Sequence, residues 1–409
     1  MIDQHEKAVL LLLGRALFGH AAALDRGVDL GATLREAVDQ STFATVYAAL
    51  TPEEKATLPP EDQSKWRLLF LKHIAKNQQL LYEQGNVVSR LSETGIPFAI
   101  LKGSTCAVHY PDPSLRAMGD VDILVSPDEQ RAVVELLQAD GYSEIVEEDH
   151  HCHLTVRKGR VSVEVHREPN GLFVNENDAL RKKIEDFFAD ALDRVQTENG
   201  YPSLADRHQA VVLIMHKLEH FLAGGLGLRQ LCDWAMFVHK RMTPALWSEL
   251  APLLESFGLL TFTLMVTKAC IDHLGLPEAD APWAAEADKD LSDKVMEHIV
   301  KSGNFGVKDT AYGEKFFVDA HSKGRISSAF KTVGAACRTH WPVCARHPIL
   351  MPVAPFVVYA RYLKLRREGK RDKFRPLHLY QRAGSKQQLY RDLKPFVTDK
   401  TKDKITEGK

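Results

Sequence analysis

The chain has 409 residues and a formal net charge of −1, with 26% charged and 44% hydrophobic residues. That composition excludes global disorder, a collagen-like repeat and a disulfide-dense scaffold, and at roughly 150 residues per packing unit the length provides for two or three units. Six scattered cysteines with no Cys-x-x-Cys pair exclude the usual zinc-ribbon spacing; Cys106, Cys152, Cys232, Cys270, Cys337 and Cys344 read as reduced thiols.

The near-neutral total hides a split. Arg361 to Lys409 carry 16 Lys+Arg and 6 Asp+Glu, while residues 1–360 carry 37 basic and 48 acidic residues. The body is acidic and the tail is basic.

The N-terminus starts acidic, and its apolar run Ala8–Leu13 is short. A secretory signal has a basic start, an apolar run and a small-residue cleavage site. The stretch Ile349–Ala360 is interrupted by Pro352 and Pro355 and falls short of the ~20 apolar residues of a spanning helix. The expectation is a cytoplasmic protein, with a peripheral membrane position left open.

Residues 1–95 read as helical, with helices over Ala8–Phe18 and Asp62–Thr94; Gly95-Ile96-Pro97 ends the second. Phe98–Leu101 is a short apolar run with the flanks of a buried strand, and Val121–Val125 is another. Ser126-Pro127-Asp128-Glu129 has the pattern of a capping box, which predicts a helix running to Asp140 and stopping at Gly141. Cys152–Arg157 and Val161–His166 flank Lys158-Gly159 and predict a hairpin. Ala205–Leu222, Leu226–Lys240, Ala245–Phe257 and Leu260–Leu274 are periodic helical segments, and the region past Arg325 reads as helical and increasingly basic. The predicted class is α+β: a small mixed β-sheet module over residues 96–190, between a helical segment at 1–95, a helical domain at 191–325 and a basic helical region at 326–409.

The strongest local signal is Gly119-Asp120-Val121-Asp122-Ile123-Leu124-Val125. Alternate strand residues share a face, so Asp120 and Asp122 project together while Val121 and Ile123 face a core. Paired carboxylates repel unless a cation lies between them, and oxygen-rich pairs suit Mg²⁺, which takes phosphate oxygens as further ligands. Glu164, alternating with Val161, Val163 and Val165, is the candidate third carboxylate. Lys102-Gly103-Ser104 closes the first strand before a short helix at Thr105–His109. Glycine admits a close phosphate, helix-start amides and a hydroxyl can hold it, and Lys102 adds charge.

Gly-Ser, then Asp-x-Asp, then a single carboxylate on a later strand resembles the nucleotidyltransferase superfamily related to DNA polymerase beta. The closer resemblance is to its bacterial branch of uncharacterised nucleotidyltransferase-like proteins. It is carried by Leu101-Lys102-Gly103, Tyr110, Arg116, Asp120-Val121-Asp122-Ile123-Leu124-Val125, Gly141-Tyr142 and Glu164-Val165-His166, then by His216, His220 and Asp233. It covers about residues 65–300. One departure is the 16-residue interval between Ser104 and Asp120, longer than in minimal members and open to reading as an acceptor-specific insertion.

The resemblance implies a metal-dependent, pyrophosphate-releasing transferase that moves a nucleoside monophosphate from an NTP to an acceptor. Asp120 and Asp122 would ligate Mg²⁺, with Mn²⁺ as the alternative, and Glu164 would be a third ligand or a general base. Gly103 and Ser104 would hold the β,γ-phosphates, with Lys102 and Arg116 as candidates for phosphate charge. The acceptor class stays open: small molecule, carbohydrate, peptide, protein or RNA. The alternatives are a catalytically silent nucleotide-binding regulator and a scaffold led by the tail.

His216 and His220, four apart on a predicted helix, share a face. They read as a cleft lining, with Lys217 and Arg229 as nucleotide contacts, or as plain structural histidines. His150-His151-Cys152-His153 lacks the partner cluster that four-coordinate zinc requires; a hairpin edge over the site fits better. The basic tail, with Tyr362, Phe374, Tyr380, Tyr390 and Phe396 interleaved, suits solvent, an anionic membrane or nucleic acid through residues 349–409.

Overall fold

A computed structural model describes residues 2–25, 27–145, 152–169, 178–223 and 225–308, with shorter pieces between 341 and 396. Two compact units divide the chain. The first comprises Met1–Phe221, Gly225–Lys308 and Phe396–Lys409; the second comprises Leu222–Gly224 and Asp309–Pro395.

The first unit opens with helices α1 (Gln4–Phe18), α2 (Leu30–Asp39), α3 (Phe43–Ala49), α4 (Pro52–Ala56) and α5 (Pro60–Ser92). Strands β1 (Phe98–Ile100) and β2 (Val121–Val125) follow, separated by the short α6 (Ser104–Ala107). Then come α7 (Gln130–Ala139), β3 (Ser143–Ile145), β4 (His153–Lys158), β5 (Val161–His166), α8 (Asp178–Phe188), β6 (Gln196–Glu198) and β7 (Tyr201–Ser203). The remainder is helical: α9 (Asp206–Ala223), α10 (Leu228–Arg241), α11 (Pro244–Ser256), α12 (Leu260–Ala269), α13 (Pro282–Ala285) and α14 (Lys289–Ser302).

The strands form one seven-stranded sheet in the order β3-β4-β5-β2-β1-β7-β6. β2 runs parallel to β5 and β1 parallel to β7, while the other neighbours are antiparallel, so the sheet is mixed and the α+β class holds. Alternation decides which side each residue serves. Val121, Ile123, Val125, Val161, Val163 and Val165 pack with Leu80, Val87 and Leu91 of α5 and Val133, Val134 and Leu137 of α7. On the opposite face, Ala99 and Leu124 pack with Leu204, just after β7, and with Val212 of α9. Asp122 and Glu164 fall on this second face.

The turn expected to start α7 is built differently. The Glu129 amide donates to the Ser126 carbonyl oxygen at 3.1 Å, which closes a turn over 126–129, and the helix begins at Gln130 with Glu129 as its N-cap. The capping pattern is present in the sequence, but the backbone satisfies the amide before the hydroxyl can. The expected stop at Gly141 (φ 89°) is as predicted.

Buried polar side chains tie distant segments together. Gln40, at the end of α2, donates to the Val300 carbonyl and accepts from the Leu228 amide, at 2.9 and 3.1 Å. The link between α9 and α10 runs against the chain after α14: a Cβ built on Gly225 would lie 2.0 Å from the Gly306 amide nitrogen, so only glycine fits. In the second unit, Pro348–Leu350 forms a 3-10 turn, and Ile349, Val353 and Phe356 are exposed. The basic segment from 361 to 385 lies outside the described residues, so its three readings stay open. Among the described residues no helix is long and apolar enough to cross a membrane.

Candidate active site

The parallel pairing of β2 with β5 sets Asp122 and Glu164 directly opposite each other. Each is the even-numbered residue of an alternating strand whose odd-numbered valines and isoleucine are drawn into the α5–α7 core, so burial of the apolar residues aims both carboxylates at α9. One donor atom each from Asp122, Glu164 and His166 lie within 4.8 Å of one another. Asp120, just before β2, is half-buried.

Cations already balance these charges. Lys102 Nζ lies 3.1 Å from Asp122 Oδ1, and His166 Nε2 lies 3.1 Å from the same oxygen and 3.2 Å from Glu164 Oε2. Burial alone would raise the Asp122 carboxyl, but Lys102 and His166 outweigh it and hold it well below the usual carboxylate range. The charge of Asp122, with burial and Glu164, pushes Asp120 up to about 6. Burial disfavours the His166 imidazolium, yet its contacts with Asp122, Cys152 and Glu164 raise it to about 10. Burial likewise works against the Lys102 ammonium, and Asp122, Asp120 and Glu164 together keep it above the ordinary lysine value.

The glycine of Lys102-Gly103-Ser104 adopts φ 71° and ψ −107°, a region closed to other residues, and its missing Cβ would lie 3.8 Å from the Asp120 carbonyl oxygen. The turn therefore brings the end of β1 against the start of β2. The Ser104 hydroxyl has another occupation: it is buried and exchanges hydrogen bonds of 2.8 and 3.0 Å with Gln84 of α5.

Arg116, the other candidate for phosphate charge, is engaged within the protein. It is buried, and its Nε and Nη2 donate to the two Asp233 oxygens at 2.8 and 2.7 Å, while Nη1 donates to the Ala117 carbonyl. Tyr110 donates its hydroxyl to the same carboxylate at 2.9 Å. Asn77 of α5 holds the loop from the other side, donating to the Ser114 and Arg116 carbonyls and accepting from the Met118 amide. The long interval before Asp120 is thus a loop clamped between α5 and α10.

Lys217 is buried in α9. Its ammonium donates to the Leu213 carbonyl at 3.1 Å and lies 5.8 Å from the Trp234 ring centroid. Burial lowers its pKa to about 8. It points into the core, about 100° around the helix from His216 and about 60° from His220. His216 and His220 stack edge to face, with centroids 4.3 Å apart. Burial, followed by the charges of Lys102 and His220, holds the His216 imidazolium well below its usual range. Arg229 donates to the Ala117 carbonyl at 3.1 Å.

Several site residues lie outside the expected carboxylate set. His166 is part of the motif that carried the resemblance, and its position in the alternating strand signals that it shares the Glu164 face. His153 is its cross-strand partner, and His153 Nε2 lies 3.8 Å from Glu164 Oε2. Cys152, at the edge of the hairpin, is drawn down to about 6: burial opposes this, and hydrogen bonds with His153 and His166 prevail. Glu219 of α9, one turn from His216, is raised by burial to about 7. His150 and His151 lie outside the described residues. Cys106, Cys152, Cys232 and Cys270 are free.

This arrangement agrees with a comparison against known families: the model of a family described as uncharacterised nucleotidyltransferase matches residues 26–275. The chain belongs to that family. The match takes in the N-terminal helices from α2, the whole sheet and the helices through α12, so this nucleotidyltransferase-family domain includes both clamps on the 101–120 loop. No curated protein matches the chain.

Proposed function

We propose that the protein is a Mg²⁺-dependent nucleotidyltransferase that moves a nucleoside monophosphate from an NTP to an acceptor hydroxyl. The observation that carries this reading is the register of Asp122 against Glu164 on adjacent parallel strands, with Asp120 two residues before. The donor set is consistent with the ion: an oxygen each from Asp122 and Glu164 lie within 4.8 Å of one another and of a His166 nitrogen, and carboxylate oxygens suit a hard divalent cation. Asp120, Asp122 and Glu164 would hold it. When bound, such an ion neutralises phosphate charge and favours in-line displacement at phosphorus.

The chain's own residues supply the rest. Gly103 lets the triphosphate approach the turn after β1, and Lys102 carries positive charge to its β,γ-phosphates. The acceptor oxygen forms its bond to the α-phosphorus as the bond to the bridging oxygen breaks, and pyrophosphate leaves. Where it does not ligate the ion, Glu164 would instead take the acceptor's proton. His166 orients Asp122 and Glu164 through one ring nitrogen, and the Arg116–Asp233 pair holds the loop that carries Asp120.

The test is incubation of the protein with each α-labelled NTP, Mg²⁺ and cell extract, followed by detection of transferred label and released pyrophosphate. Asp120→Ala and Asp122→Ala are expected to lower transfer by at least a hundredfold, as for loss of a principal electrostatic group. Unchanged labelling in these variants overturns the assignment.

A further inference from the structure

His166 ends β5, is 4% exposed, and has two ring nitrogens in different surroundings. Nε2 faces Asp122 and Glu164 at 3.1 and 3.2 Å. Nδ1 has no nitrogen or oxygen partner among the described residues. His153 pairs with His166 across the hairpin, with ring centroids 4.8 Å apart. Cys152, immediately before β4, brings its Sγ to 3.5 Å from His153 Nδ1. One donor atom each from Cys152, His153 and His166 lie within 4.8 Å of one another.

We infer that Cys152, His153 and His166 form a second cation site, beside the carboxylates, for a thiophilic divalent ion of the zinc class. One sulfur and two imidazole nitrogens are a borderline-soft set that suits zinc and not magnesium. Zinc–sulfur and zinc–nitrogen bonds of about 2.3 and 2.0–2.1 Å in a tetrahedron put the two ligand atoms about 3.6 Å apart. The 3.5 Å between Cys152 Sγ and His153 Nδ1 is the edge of such a tetrahedron. Three protein ligands leave the fourth position to water or a substrate atom. The sequence run around Cys152 lacks a ligand cluster at zinc spacing; the fold supplies His166 from the neighbouring strand.

The other side of His166 completes the arrangement. A metal-ligating histidine usually donates its second ring N–H to a carboxylate, which fixes its tautomer and orientation. Nε2 has two carboxylates to receive that proton, and the ion would take the place of the Nδ1 proton, which leaves to solvent. One histidine thereby joins a soft site to a hard one, and a bound ion pins the start of β4 to the end of β5 next to Asp122. The inference stands on these donors alone and survives failure of the transferase reading.

The test is titration of full-length, metal-stripped protein with Co²⁺, the spectroscopic substitute for zinc, with zinc content measured separately by elemental analysis after loading and dialysis. The expected result is one equivalent of Co²⁺ with a thiolate-to-cobalt charge-transfer band, absent in Cys152→Ser, and cobalt affinity at least tenfold weaker in His153→Gln. Excess Mg²⁺ should leave the band in place. No band in the parent protein, a band that persists in Cys152→Ser, or displacement by Mg²⁺ overturns the site. If circular dichroism shows that Cys152→Ser does not fold, His153→Gln decides: unchanged cobalt affinity overturns the site.

Discussion

Arg116 and Asp233 show how one residue can serve a site without reaching it. Their side chains are 4% and 5% exposed and joined by two short charge-assisted hydrogen bonds. Removing one member of a buried pair strands the other, at a cost of about 3–5 kcal/mol. Asp233→Asn should lower unfolding stability by that order in a denaturant titration. Lys217 behaves in the opposite sense, because its buried ammonium is held at about 8. Between that value and the ordinary lysine range the unfolded chain binds the proton and the folded chain does not, so this residue makes stability rise with pH. Lys217→Met should therefore gain roughly 1–4 kcal/mol near neutrality. That advantage should shrink as the buffer approaches about pH 10, measured as the difference between parent and variant denaturation midpoints.

At the scale of elements, alternation made much of the site readable. A period of two in β2 and β5 identifies Asp122 and Glu164 as sharing the face opposite the valines, and the sheet keeps that register. The helical register of α9 was readable as well. Lys217 lies in the stripe Ala210, Leu213, Ile214, Leu218 and Phe221, all buried, so its core position was legible. Arg116 was not legible in this way, because its partner lies 117 residues later and no local period encodes such a pairing. Asn77 and Gln84 were hidden for a related reason: they occupy the apolar stripe of α5 with Leu80, Val87 and Leu91, where polar residues look like breaks in a pattern. The short strands β3, β6 and β7 carry too few residues to show a period. The turn after β1 is an element-scale device too. Gly103→Ala forces a side chain into φ 71°, at a cost of roughly 1–3 kcal/mol, and should shift the end of β1. Nucleotide binding, followed by calorimetry, should weaken while the far-ultraviolet circular dichroism stays the same.

For the whole molecule, the acidic body and basic tail are only part of the charge pattern. Inside the first unit, the buried Glu6 carboxylate accepts from Lys301 at 2.7 Å and from Lys308 at 2.9 Å, and Lys308 also reaches Glu36. The first helix is thus fastened to the end of α14 and the turn after it. Burial opposes ionisation of Glu6, but Lys301, the Asp3 amide and Lys308 prevail and hold its pKa below the ordinary 4.5. A lowered pKa contributes stability that is complete above the unfolded value and lost as pH falls through the folded one. Glu6→Gln should reduce the acid-side slope of stability below about pH 4.5, read from thermal midpoints across a pH series.

The clamp on the 101–120 loop has a consequence for synthesis on the ribosome. Chains emerge from the N-terminus, and early segments fold before later ones exist. The strand that carries Asp122 leaves the tunnel well before α10, so the nascent loop has Asn77 and Gln84 to hold it but not Asp233. Pairing of β1 with β7 and the bond from Gln209 to the Leu101 carbonyl wait in the same way. The carboxylates are translated early and set in place late, and a nascent chain halted before α10 carries every acidic residue of the site without the geometry to use them.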